Sequence, residues 1–171
     1  MTRVIVPNFW YDTKESPIIF LAGPIKCAPA WHETAINYIK NSVDIDLVIA
    51  CPKSKLIGIE YRNSEGTQAS RNREWERFYL EKASINGVIM FWLPGPERSN
   101  TNYPYGGMTR KELGDWTTHK NLESSVNLCI GTDGNFPLID TLEYDFSRDL
   151  PNLVIHKNLE KTCREALNCI K

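Results

Sequence analysis

Along the chain, apolar runs of strand length alternate with segments whose apolar residues recur at helical spacing, and this alternation predicts an architecture. The first run, Pro17-Ile-Ile-Phe-Leu-Ala22, stops at Gly23-Pro24. Between Pro29 and Lys40, Trp31, Ala35, Ile36 and Ile39 then share one helical face. A second run, Asp46-Leu-Val-Ile-Ala50, is closed by Cys51-Pro52, and the polar stretch that follows to about Thr67 reads as a loop. A helix is expected from about Gln68 to Ala83, with Trp75, Phe78, Tyr79 and Lys82 on one side. The third run, Gly87-Val-Ile-Met-Phe-Trp-Leu93, is apolar without interruption and ends at Pro94-Gly95-Pro96. Such a run suits a strand covered on both faces, the habit of parallel sheets. Beyond a loop rich in Gly, Pro, Asn and Tyr, a helix is expected from about Thr109 to His119, then a fourth strand, Ser125-Val-Asn-Leu-Cys-Ile130. An irregular segment reaching Leu150, a short fifth strand from Asn152 to His156 and an amphipathic helix from Leu159 to Ile170 complete the reading.

Five strands joined by crossover-length segments imply an α/β, doubly wound parallel sheet with right-handed connections, and the order expected is the flavodoxin-like 2-1-3-4-5. The chain has 171 residues, and no linker, repeat or low-complexity tract divides it, so residues 1–171 are read as one domain. Twenty Lys and Arg stand against 21 Asp and Glu, intermixed along the chain, which supplies no basic field for a phosphate backbone. Polymeric nucleic acid is therefore not an expected partner. No apolar run is long enough to cross a bilayer, and the opening MTRVIVPNFWYDTKES lacks the order of a signal peptide. Neither a membrane nor export is expected, and the cytoplasm is the default location.

The five cysteines (Cys27, Cys51, Cys129, Cys163 and Cys169) form no CxxC pair, and three scattered histidines offer no ligand set. They read as reduced thiols, several of them in the core, and no metal or cofactor is expected. The absence of a GxSxG elbow argues against a Ser-His-Asp hydrolase.

In an open α/β sheet, ligands bind beyond the carboxyl ends of the strands, near the point where strand order reverses. That rule selects the loops after the first, third and fourth runs. Gly23-Pro24, after the first, is either a turn needed for conformation alone or a place where a ligand comes close. The loop after the third contains Tyr103, Tyr105, Gly106, Gly107 and Met108 and feeds the helix holding Glu112. A carboxylate in a first helical turn is held ionised by the helix dipole, ready to act as nucleophile or electrostatic stabiliser. Thr109-Arg-Lys-Glu112 also fits a capping box, and spacing alone favours that role. Glu76, among Arg71, Arg73 and Arg77, reads on its own as helix-surface charge, although it follows Trp75 and so falls near a buried edge. Five tryptophans could furnish flat walls for a planar heterocycle, Trp31 and Trp92 being nearest the carboxyl edge, although core packing is the commoner use of each.

Taken in order, IFLAGPI, a Trp-led helix, WERFYL, GVIMFWLP and KELG followed by a strand resemble the nucleoside 2-deoxyribosyltransferase family, particularly its divergent deoxyribosyltransferase-like branch. The resemblance runs over roughly residues 17–145 and implies the same flavodoxin-like fold. It also implies cleavage of the N-glycosidic bond of a 2′-deoxynucleoside or its monophosphate. Glu112 would then be the nucleophile that takes C1′ of the sugar, and Glu76 a second acid near sugar or base. Gly23 and Pro24 would line the sugar side and Trp31 would begin the helix behind it, with Asn86, Trp92, Gly107 and Met108 completing the pocket. A small-molecule nucleoside or nucleotide and further copies of the chain are the partners implied. Two departures stand out: Asn86 occupies the place of a usual aspartate in Ala83-Ser-Ile-Asn-Gly87, and the loop Tyr103-Pro-Tyr-Gly-Gly-Met108 has no aspartate before the nucleophile. They leave three expectations open: transfer of deoxyribose to another base, hydrolysis, or an inactive nucleotide-binding module.

Overall fold

The computed structural model describes residues 1–7, 9–13, 15–53, 68–98 and 104–170, with backbone only for 68–71. The loop expected up to about Thr67 and the position of Tyr103 lie outside the described residues. Six strands, β1 (Thr2–Ile5), β2 (Ile18–Ala22), β3 (Leu47–Ala50), β4 (Gly87–Leu93), β5 (Leu128–Thr132) and β6 (Ile155–His156), form one sheet in the order β1-β3-β2-β4-β5-β6. Every pairing is parallel. Five helices accompany them: α1 (Trp31–Ser42), α2 (Gln68–Ile85), α3 (Gly107–Leu122), α4 (Ile139–Asp149) and α5 (Leu159–Asn168).

The apolar runs become central strands because each side of the sheet needs its own covering. In β4, Ile89, Phe91 and Leu93 join the core beneath α2, α3 and α4, while Val88, Met90 and Trp92 join the opposite core beneath α1 and α5. Period-two alternation thus sends an uninterrupted apolar run into two separate layers. On its sheet-facing side, α2 buries Trp75 and Tyr79 completely. Both also hold the segment between β1 and β2: Trp75 Nε1 donates to Phe9 O (2.9 Å), and Tyr79 Oη accepts from Tyr11 N (2.9 Å).

The five expected strands stand in the expected relative order, and the sheet gains a sixth at the β3 edge. Only Ile5 of β1 is buried, so this strand carries little hydrophobic signal and forms because β3 offers it a free edge. Two further corrections concern the second half. The segment expected to be irregular up to Leu150 contains α4, whose Ile139, Leu142 and Phe146 face the core. Strand β5 runs through Gly131 to Thr132, because the Trp92 ring lies over the glycine and the buried Thr132 hydroxyl donates to Leu93 O (2.7 Å). Among the described residues, no helix is long and apolar enough to cross a membrane.

Candidate functional site

The chain passes from β2 outward to β3 and returns to β4 on β2's other side, so strand order reverses between β2 and β4. Beyond their carboxyl ends lies a cleft of about 520 Å³. Gly23, Pro24 and Cys27 line it from the loop after β2, Arg98 from the loop after β4, and Gly107 and Met108 from the start of α3. Glu76 of α2 and Glu112 of α3 are the carboxylates in its described lining.

Cross-links between loops hold the walls. Glu97 N donates to Cys27 O (2.8 Å), tying the β4 loop to the β2 loop. Both carboxylate oxygens of Asp133 accept from Gly95 N (2.9 and 3.0 Å), which ties the β4 loop to the β5 loop. Tyr105 Oη donates to Pro94 O (2.9 Å), and Arg110 donates to Tyr105 O (3.1 Å) and Pro137 O (3.0 Å). The turn into α3 requires glycine: Gly106 has φ +66°, and a Cβ there would come within 2.7 Å of the Phe136 ring.

Gly23 serves a close approach of protein to protein. A Cβ on it would lie 2.3 Å from Trp92 O and 2.7 Å from Trp31 Cζ2. Trp31 Nε1 in turn donates to Pro24 O (3.0 Å), so the Gly23-Pro24 turn is clamped from behind while its front faces the cleft. Gly23→Ala is expected to destabilise the protein by about 1–3 kcal/mol through overpacking against backbone. Thermal unfolding reads this as a fall of roughly 2–4 °C per kcal/mol in a chain of this size, and an unchanged midpoint would show that the turn yields freely.

Glu112 lies a turn deeper in α3 than the capping-box reading expects. The helix begins at Gly107, and Gly106 supplies no side-chain cap, so Glu112 is past the first turn and caps nothing. It is buried, and its Oε1 accepts from Arg73 Nη1. The same nitrogen donates to Glu76 Oε2 at 3.0 Å. Burial pushes both carboxyls above the usual range, against the pull of Arg73. The dipole-held, fully ionised state expected for Glu112 is therefore opposed by desolvation.

Not all the expected site residues meet at the cleft. Glu112, Glu76, Gly23, Pro24, Gly107 and Met108 line it, and Trp31 supports it from the far side. Trp92 is no wall of the cleft, because its place in β4 turns its ring into the α1 and α5 core. Asn86 precedes β4 and so stands at the opposite, amino edge of the sheet, where Nδ2 donates to Glu15 O (3.0 Å). The aromatic rings in the described lining belong to Phe20 and Tyr105 rather than to any tryptophan. Sequence reading missed Arg73 by counting it with solvated helix charge; its place three residues before Glu76, on the same helical face, was the available signal. No protein-family model matches the chain, and no curated protein matches it. Fold and cleft define a doubly wound α/β protein with a carboxylate pair at the switch point of its sheet.

Proposed function

We propose that the protein cleaves the N-glycosidic bond of a 2′-deoxynucleoside or its monophosphate through a covalent glycosyl-Glu112 intermediate and transfers the deoxyribose to another base. The observation that carries this reading is the Glu76–Glu112 pair. Both carboxylates reach one guanidinium nitrogen, so their nearest oxygens are no farther apart than two hydrogen-bond lengths. Retaining glycoside chemistry uses two carboxyls roughly 5–5.5 Å apart, one as nucleophile and one to manage the leaving-group proton. The position of the pair at the switch point of a flavodoxin-like strand order supports the same reading, as does the ordered motif set that resembles nucleoside 2-deoxyribosyltransferases.

In this scheme Glu112 attacks C1′, the departing base takes a proton from Glu76, and the turn at Gly23-Pro24 shapes the sugar side. A second free base, giving its N–H proton to the ionised Glu76, then attacks C1′ as the C1′–O bond breaks and releases Glu112 as a carboxylate. When water takes its place the outcome is hydrolysis, which uses the same residues. Lys26 and Arg98 also line the cleft, so nucleosides and their 5′-monophosphates both belong in the assay. The partners implied are this small molecule and further copies of the chain, in the cytoplasm.

The test incubates the protein with a deoxynucleoside or its monophosphate and a second free base, and separates all products by chromatography. A new nucleoside is the expected product. Free sugar without exchange would make the protein a hydrolase. Saturable nucleotide binding without turnover, seen as a thermal shift, would make it a binding module and overturn the enzymatic reading.

A further inference from the structure

Two depressions meet at Glu112. One is the cleft already described; the other is a groove between α2 and α3 that Arg73, Arg77, Lys111, Asp115 and Trp116 help to line. Glu112 borders both, Glu76 borders the cleft, and Arg73 borders the groove. The guanidinium therefore reaches the carboxylates from behind, on the side away from any ligand in the cleft. A single nitrogen, Nη1, makes both contacts, to Glu112 Oε1 and Glu76 Oε2.

We propose that Arg73 is the positioning residue of this site: it anchors one oxygen of Glu112 from the groove, leaves Oε2 to face the cleft, and with its fixed positive charge balances first one carboxylate and then the other as the reaction proceeds. The inference rests on the glycosidic reading above. Before the step, Glu112 is ionised, Glu76 holds a proton and Arg73 balances Glu112. An electron pair on Glu112 Oε2 forms the bond to C1′, the C1′–N bond breaks, and its pair remains on the base nitrogen, which takes the proton of Glu76. Glu112 is then a neutral ester and Glu76 is ionised. Arg73, hydrogen-bonded to both, balances Glu76 without moving. Neither side of the step leaves an uncompensated charge in a partly desolvated site, where such a charge is costly. Among the described residues, the charged groups facing Glu112 are Arg73 and Glu76 from α2 and Lys111 from its own helix, and Lys111 is engaged with Asp115 at 2.5 Å.

The experiment compares wild type with R73Q and R73K. In R73Q, kcat is expected to fall on the order of 100-fold, as for a mispositioned reacting group, with KM little changed and the acidic limb of the pH profile moved upward. R73K should recover much of the loss, because one nitrogen makes both contacts and an ammonium supplies one. A purely packing role would move neither the pH limb nor the balance between kcat and KM, and that outcome overturns the proposal. Carbon-13 titration of the Glu76 and Glu112 carboxyls, assigned with E76Q and E112Q, tests the clamp without turnover. Both carboxyls should titrate higher in R73Q, and unchanged titration overturns the role of Arg73 whether or not the wild type is active. An inactive wild type with the expected titration shift would sink the glycosidic reading and with it the charge balancing, leaving the clamp. If R73Q fails to fold, the Arg73 Nη–H protons of the wild type decide: slow exchange that is lost in E112Q supports the clamp, and fast exchange in the wild type refutes it.

Discussion

Glu112→Gln should lower base release by at least about a thousandfold, some 4 kcal/mol of barrier, while leaving the protein folded. Glutamine keeps the volume and one oxygen near Arg73, so the contact with Nη1 becomes a hydrogen bond from the cationic guanidinium to a neutral amide oxygen in place of an ion pair. The amide is too poor a nucleophile to capture C1′, and acid-quenched wild-type protein should carry a deoxyribosyl adduct on the Glu112 peptide that the variant lacks. A variant with wild-type turnover would remove Glu112 from the mechanism. The pH dependence follows from the same site. The nucleophile must be ionised, and burial raises its carboxyl above the ordinary range. Activity should therefore decline on acidification at a pH above the ordinary glutamate value of about 4.3.

Acid should weaken the fold through His32, a second large effect, independent of catalysis. The imidazole lies in the first turn of α1, 1% exposed, stacked on Trp31 with ring centroids 3.7 Å apart. Its Nε2 is buried and has no hydrogen-bond partner among the described residues. Burial, helped by the charge of Lys53, lowers its pKa from 6.5 to about 3. The folded protein thus holds a neutral ring that the unfolded chain protonates readily. The resulting stability is fully present above about pH 6.5 and is lost as pH falls toward 3, in total on the order of 4–5 kcal/mol. Between pH 6.5 and 5 the loss is about 2 kcal/mol. Denaturant unfolding of wild type and His32→Leu at both pH values isolates this contribution, because the other titrating groups are common to the two proteins. The variant should show the shallower dependence on pH, and parallel slopes would mean that His32 is protonated at little cost.

The two effects separate what was legible in the chain from what was not. The pattern of Ile18–Ala22, Leu47–Ala50 and Gly87–Leu93 determined three central strands, since runs apolar on both faces need covering on both sides. Crossover lengths implied the parallel sheet, the flavodoxin-like order was an expectation that the observed order of β2 to β6 matches, and the switch-point rule selected the loops that border the cleft. Glu112 was singled out by its place before a strand and after a glycine-rich loop, but its depth in α3 was misjudged by three residues, because Gly106 rather than Thr109 turns the chain into the helix. Spacing could not show this: the reason is the Phe136 ring packed against Gly106, a contact between segments distant in sequence.

Trp92 and Asn86 make the same point from the other side. Both flank or belong to a correctly expected strand, yet one turns into the far core and the other lies at the amino edge. Strand position was readable in each case, whereas membership of the cleft depends on facing and on which end of the sheet the loops converge. Arg73 is the converse: an unremarkable helix charge in the sequence, it becomes a bridge between two carboxylates only when α3 is laid beside α2. Local patterning thus determined the parallel α/β layers and the region of the cleft, because hydrophobic period and chain reversal are properties of neighbouring residues. Tertiary structure alone decided the edge strand β1, the burial of His32 and the Arg73–Glu76–Glu112 cluster, because each depends on strand pairing, desolvation or charge contributed by segments far apart in the chain.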